Sequence, residues 1–100
     1  MYTLVITCSN PAQLIGFYQQ NKSHTSDLSF AKLVPCKPKD ALYEWGTPED
    51  AAEVQYDYSD DGVLAYRFEA AYPPYEWLRA VRGCYPWLRL TFVCVCKRFY

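Results

Sequence analysis

The stretch AEVQYDYSDDGVLAYRFE, residues 52–69, decides the fold of this chain. Its first half alternates apolar or aromatic residues with polar ones, as in a strand with one buried face, and the apolar series is Val54, Tyr56 and Tyr58. An Asp-Gly pair then favours the positive backbone φ of a tight turn. A second extended segment, residues 63–72, follows this turn. The stretch therefore predicts a β-hairpin.

Further regular elements are predicted on both sides of the hairpin. Residues 3–8 are rich in β-branched side chains and predict a buried strand. A helix follows, and its predicted apolar face consists of Pro11, Leu14, Ile15 and Tyr18. After the hairpin, a proline pair and a later Gly and Pro delimit a second helix over residues 74–83. The last strand is predicted over residues 87–99.

The order strand, helix, strand, strand, helix, strand predicts an α+β fold of the ferredoxin-like type. In this fold a four-stranded antiparallel sheet carries two helices on one face. We predict that residues 1–100 form one such domain. Prolines interrupt the remaining stretch, residues 27–51, which is predicted as a long, partly ordered connection held by Phe30, Leu33, Tyr43 and Trp45.

Composition excludes several classes of protein. The chain is 51% apolar with a formal net charge of −1, which argues against a disordered polypeptide. No apolar run approaches the roughly 20 residues of a membrane span, so no membrane contact is predicted. Residues 1–8 lack the basic start of a signal peptide. Together with an odd number of cysteines, five, this predicts reduced thiols and a cytoplasmic location.

The cysteine spacing allows the hypothesis of a metal site. Cys94 and Cys96 are separated by one residue and would share one face of the last strand. Cys8 and His24 would complete the ligand set. Against this reading, common zinc sites place roughly two to four residues between paired cysteines, and a free cysteine is otherwise a small buried apolar residue. We predict no metal and no cofactor.

Charge is distributed in blocks along the chain. Eight of the 11 acidic residues lie between positions 40 and 61, where no lysine or arginine occurs, and residues 62–100 carry six basic residues against two acidic ones. One reading is an acidic edge strand that imitates the phosphates of nucleic acid and docks on a basic groove. The other is a solvated surface that keeps an open sheet edge from aggregating. Tyr56 and Tyr58 bear on the choice: facing solvent beside Asp57 they would add a binding surface, and facing the helices they would be core.

Several motifs resemble the YubB-type ferredoxin-like domain family of phages, plasmids and other mobile elements. They are SF at 29–30, LVP at 33–35, WGT at 45–47, GVLAYRF at 62–68, AYPPYEWL at 71–78 and YPWLRLTF at 85–92. The resemblance covers about residues 27–96, with a shortened stretch between Pro35 and Trp45 and no Asn-Trp start near the N-terminus. It implies the ferredoxin-like fold and an origin on a mobile element. It implies no catalytic residues, since the family is mostly of unknown function.

No pattern of catalytic residues stands out, so we predict that the chain is not an enzyme. Its one histidine, His24, lies in a polar stretch, and the sequence has no phosphate-binding glycine loop or serine-nucleophile motif. The predicted function is that of a phage protein in the host cytoplasm. It would bind and inhibit a host defence complex, such as a CRISPR effector, by covering a nucleic-acid-binding surface. The predicted contact residues are Glu49, Asp50, Glu53, Tyr56, Asp57, Asp60 and Asp61.

Direct binding of nucleic acid through the basic half is the alternative. It requires the side chains to converge on phosphates, and the candidates are Arg67, Arg79, Arg82 and Arg89. The LAYRF segment at 64–68 also faintly resembles the sheet aromatics on which RNA-recognition modules stack bases. A third class, a structural or assembly component of a virion, stays open.

Overall fold

The structure, a computed structural model, describes residues 1–59 and 61–94 and contains four strands and two long helices. The elements in chain order are β1 (Tyr2–Thr7), α1 (Pro11–Asn21), α2 (Phe30–Leu33), a 3₁₀ turn (Pro38–Asp40), α3 (Ala41–Glu44), β2 (Ala52–Ser59), β3 (Val63–Glu69), α4 (Tyr75–Cys84) and β4 (Arg89–Cys94). The predicted α+β fold of the ferredoxin-like type is confirmed. Within the described residues, no helix is both long and apolar enough to cross a bilayer.

The sheet has the order β2-β3-β1-β4, and every neighbouring pair of strands is antiparallel. Strand β3 therefore lies between β1 and β2, and β1 lies between β3 and β4. This interleaving is the split β-α-β arrangement, in which each long helix connects two parallel strands that are not neighbours. It leaves β2 and β4 as the two edges of the sheet.

Both long helices pack on one face of the sheet. The β1–β3 register sets Leu4 opposite Tyr66 and Ile6 opposite Leu64, so these buried side chains point to the same side. The remaining side chains of the core come mainly from α1, α2 and α4, and they include Leu14, Phe17, Phe30, Trp77 and Val81. Strand residues between these positions, such as Thr3, Val5 and Ala65, face the other side of the sheet, which we call the open face.

The β2–β3 hairpin forms as the Asp-Gly pair predicts. Gly62 has a φ of +89°, and a Cβ at this position would collide with the carbonyl oxygen of Cys8. The Cys8 amide in turn donates to the Gly62 carbonyl at 3.1 Å, which ties the end of β1 to the hairpin. Only glycine combines that backbone conformation with so close an approach. The second strand of the hairpin is shorter than predicted. Strand β3 ends at Glu69, whereas the prediction extended it to residue 72.

The connection over residues 27–51 is more regular than predicted, with α2, the 3₁₀ turn and α3 along it. Phe30 and Trp45 are buried, and the Trp45 indole donates to the Val34 carbonyl at 2.7 Å. Leu33 is half-buried against the core. The prediction for Tyr43 is wrong: its side chain is 81% exposed, because α3 turns Ala41 inward instead.

Two further expectations need correction. The buried residues of α1 are Leu14, Phe17 and Asn21, whereas Ile15 is 45% exposed and Tyr18 only half-buried. The inward face of α1 is thus rotated from the predicted one, because the 14–17–21 row packs against Tyr66 of the sheet and against Tyr85, which follows α4. The last strand begins at Arg89, and the predicted portion beyond Cys94 lies outside the described residues.

Candidate interaction surfaces

A row of exposed carboxylates follows the free edge of the sheet at β2. Glu49 precedes the strand, Glu53 and Asp57 lie on it, and Asp61 lies in the turn after it; all four side chains are exposed. We call these four residues the acidic edge. Among the described residues, none of their carboxylates lies within 4.0 Å of a lysine or arginine nitrogen, since the two ion pairs use Glu69 and Glu76. Asp60, predicted with this group, lies outside the described residues.

The backbone of β2 spreads these charges along the edge. A β-bulge between Ala52 and Gln55 includes Glu53, whose φ is +50°. Beyond the bulge the strand is regular, and Asp57 lies opposite Ala65 on the open face. At the regular rise of about 3.3 Å per residue, Glu53 and Asp57 are separated by at most about 13 Å along the strand. The acidic edge is therefore an extended surface and not a compact carboxylate cluster.

Asp50 has a different role from the other predicted acids. Its carboxylate accepts hydrogen bonds from the Ser29 hydroxyl at 2.6 Å, the Phe30 amide at 2.6 Å and the Ala51 amide at 2.7 Å. The first two donors lie at the start of α2, where helix N–H groups lack partners within the helix. Asp50 therefore joins α2 to the start of β2, and its charge is used inside the protein.

Tyr56 lies at the rim of the helix side of the sheet. It is opposite the buried Tyr66, and its ring packs on Tyr18 of α1 with centroids 4.7 Å apart. Even so, 46% of Tyr56 remains exposed, because β2 extends past the cover that α1 gives. Tyr56 is thus neither a core residue nor a member of the open face with Asp57.

An apolar cavity of about 260 Å³ opens between α1 and β2 at this rim. We call it the α1–β2 groove, and its lining residues are Leu14, Ile15, Tyr18, Tyr56, Tyr58 and Leu64. One wall is fixed, because the Tyr18 hydroxyl donates to the Asp27 carboxylate at 2.7 Å. This hydrogen bond, followed by partial burial, raises the pKa of Tyr18 well above its usual range, so the hydroxyl keeps its proton as donor.

The four candidate arginines do not converge. Arg67 and Arg89 lie on the open face near opposite ends of the sheet, opposite Thr3 and Thr7 of β1. Arg79 and Arg82 lie on α4, on the other side of the sheet. There they border a cavity of about 560 Å³ whose other lining residues are Tyr75, Glu76, Leu78 and Phe92; we call it the α4–β4 groove. Arg79 is paired with Glu76 at 3.5 Å.

The likeness to an RNA-recognition sheet does not hold. Tyr66 and Phe68, the aromatic residues of the 64–68 segment, are buried under the helices, whereas RNA-recognition modules expose such residues on the open sheet face. Strand β3 contributes Val63, Ala65 and Arg67 to the open face instead. Bases therefore find no stacking platform on β3.

The hypothesis of a metal site that includes both Cys8 and Cys94 is wrong. Cys94 lies opposite Tyr2 at the start of β1, while Cys8 follows the end of that strand. A strand of six residues separates them, about 20 Å at the usual rise. In residues 1–59 and 61–94, no three His, Cys, Asp or Glu side chains are grouped as metal ligands. Cys96 lies outside the described residues.

Three comparisons, with protein-family models, with curated proteins and with solved structures, find no match to this chain.

Proposed function

We propose that this chain is a non-enzymatic binding protein whose acidic edge covers a basic, nucleic-acid-binding surface of a partner protein. The observation that supports this most directly is the acidic edge itself. Glu49, Glu53, Asp57 and Asp61 are exposed along a free strand, and none is neutralised by an ion pair within the described residues. Surfaces that serve solubility commonly intersperse both signs of charge. This one carries a single sign along one edge.

The aligned charges of the acidic edge favour contact with basic surfaces. Carboxylates aligned along one side create a negative potential that attracts basic surfaces and accelerates encounter with them. The grooves that hold nucleic acid are basic because they neutralise phosphates. A protein that places its own carboxylates there competes with the nucleic acid. The contact is also expected to weaken as salt is raised, because exposed charges are screened.

The proposed partner is a host defence complex, such as a CRISPR effector in the cytoplasm of a bacterium. The resemblance to a domain family of phages, plasmids and other mobile elements supports this choice, because host defence complexes act against such elements. Effectors of this kind hold their guide–target duplex in a positively charged channel. That channel is the class of surface that the acidic edge fits.

A tagged-protein capture experiment tests the proposal. The wild type, E53K/D57K and the matched control D40K/E44K, which makes the same change in net charge on the 3₁₀ turn and α3, are incubated with nuclease-treated bacterial lysate. Circular dichroism first verifies that all three are folded. We expect the wild type and the control to retain the same nucleic-acid-binding protein in stoichiometric amount, and E53K/D57K to lose it. Equal retention by the wild type and both variants would contradict the role of the acidic edge.

Nucleic-acid binding by the α4–β4 groove is the second candidate. It is supported by the position of Arg79 and Arg82 beside the rings of Tyr75 and Phe92, since arginines neutralise phosphates and aromatic rings stack on bases. The same capture experiment detects it. Nucleic acid would be recovered from untreated lysate by the wild type and by R67A/R89A, and lost with R79A/R82A.

A further inference from the structure

The outer side of β2 has unused backbone hydrogen-bonding groups. The strand pairs with β3 alone, and in the described part of the chain residues 52–58 make no backbone hydrogen bond outside that ladder. Alternate N–H and C=O groups of an edge strand point away from the sheet and are ready to pair with another strand. The bulge at Glu53 and the turn after Ser59 limit the regular edge to residues 55–59.

The α1–β2 groove lies directly beside this edge. Ile15 and Tyr56 form its exposed border, and they are 45% and 46% exposed. Its wall at Tyr18 is held by the bond to Asp27 and by ring contact with Tyr56. The groove is therefore formed before any partner arrives, so that little conformational entropy is lost on binding.

The two faces of β2 differ in chemistry. Its helix side presents Tyr56 and Tyr58 next to the apolar groove, and its open face presents Gln55 and Asp57. A strand added beside β2 would send alternate side chains to these two sides. Side chains on the helix side would enter the groove. Those on the other side would lie about 5 Å from Asp57, measured between Cβ atoms of a cross-strand pair.

We propose that β2 binds an extended segment of the partner protein as a fifth strand, and that this segment alternates aliphatic with basic side chains. The inference rests on the proposed function and adds the form of the bound segment. Main-chain hydrogen bonds would supply affinity, and the groove and Asp57 would supply specificity. A second copy of this chain fits less well, because two β2 edges side by side would bring their own carboxylates together.

The probe is a synthetic peptide that alternates valine with lysine over about six residues, the length of an ordinary strand. A peptide of identical composition with its lysines in one block is the control. Binding is measured by calorimetry, and amide hydrogen exchange is followed at residues 55–59. We expect the alternating peptide to bind at least about tenfold more tightly than the block peptide and to slow exchange of the outward amides.

Two matched variants test the groove. Y56S removes an aromatic wall, and Y43S removes an exposed tyrosine on α3 that lies outside the groove. We expect Y56S to weaken binding of the alternating peptide by about tenfold and Y43S to leave it unchanged.

The outcomes separate this inference from the proposed function. Equal binding of the two peptides with no effect of Y56S overturns strand addition, and so does absence of binding at millimolar concentration. In either case, loss of capture by E53K/D57K in the lysate experiment still supports the acidic edge. Retained capture by E53K/D57K overturns the proposed function, whatever the peptides do.

Discussion

Two tyrosine hydroxyls on the helix side of the sheet have opposite environments. The Tyr66 hydroxyl is fully buried and has no hydrogen-bond partner among the described residues. The Tyr18 hydroxyl donates to the Asp27 carboxylate at 2.7 Å. Burial raises the pKa of Tyr66, and the bond to Asp27 is the main cause of the raised pKa of Tyr18. The two side chains therefore contribute to stability in different ways.

The substitutions Y66F and Y18F should separate these contributions. At neutral pH we expect Y66F to leave the free energy of unfolding unchanged or to raise it by up to about 1 kcal/mol, because it removes an unpaired buried hydroxyl. Y18F should lower it by about 1 kcal/mol, because Asp27 loses its donor. Urea unfolding measures both. A loss with Y66F as large as that with Y18F would contradict the unpaired state of the Tyr66 hydroxyl.

The same pKa shifts predict an alkaline loss of stability. Because the folded state holds Tyr18 and Tyr66 in their neutral forms, their contribution is complete below the unfolded pKa of about 10. It is lost as pH rises beyond that value, since releasing the protons lowers the free energy of the unfolded chain. The urea midpoint of Y66F should fall less steeply between about pH 10 and pH 11 than that of the wild type.

At the level of elements, Asp50 connects the start of α2 to β2. We predict that D50A lowers the free energy of unfolding by about 2 kcal/mol, because the Ser29 hydroxyl and the Phe30 amide lose a charged acceptor. E49A, which removes the neighbouring exposed carboxylate, should change it by less than about 0.5 kcal/mol. A loss with D50A as small as that expected for E49A, measured by thermal unfolding, would contradict the stabilising role of the Asp50 contacts.

The strands could be predicted from the sequence because their signals are local. Alternation places Tyr56 and Asp57 on opposite sides of β2, and the turn at Gly62 sets the hairpin. The inward face of α1 could not be predicted, because Ile15 and Phe17 are both apolar and only the position of the sheet decides between them. The exposure of Tyr43 could not be predicted either. Helix α3 is too short for a repeating apolar pattern to show which of its side chains face the core.

The candidate site could be predicted only in part. The acidic block is visible in composition, so Glu53 and Asp57 could be named from the sequence. The internal role of Asp50 could not, because its partners are about 20 residues away along the chain. The α1–β2 groove was also missed. Its one signal is Ile15, an apolar residue beside the Leu14–Phe17 row that faces the core.

On the scale of the whole molecule, the net charge of −1 conceals two separated surfaces. The acidic edge follows β2, one edge of the sheet, and the arginines of α4 border a groove beside β4, the other edge. Strands β3 and β1 lie between them. This separation makes the two candidate functions independent, so that variants on one edge leave the other intact.

Competition for the captured partner tests the central claim most directly. The partner is bound to fluorescently labelled nucleic acid, and anisotropy is followed as the protein is added. The account predicts that the wild type and D40K/E44K displace the nucleic acid, that displacement weakens with rising salt, and that E53K/D57K does not displace it. Formation of a ternary complex, or equal displacement by E53K/D57K, would contradict the claim that the acidic edge occupies the nucleic-acid-binding surface.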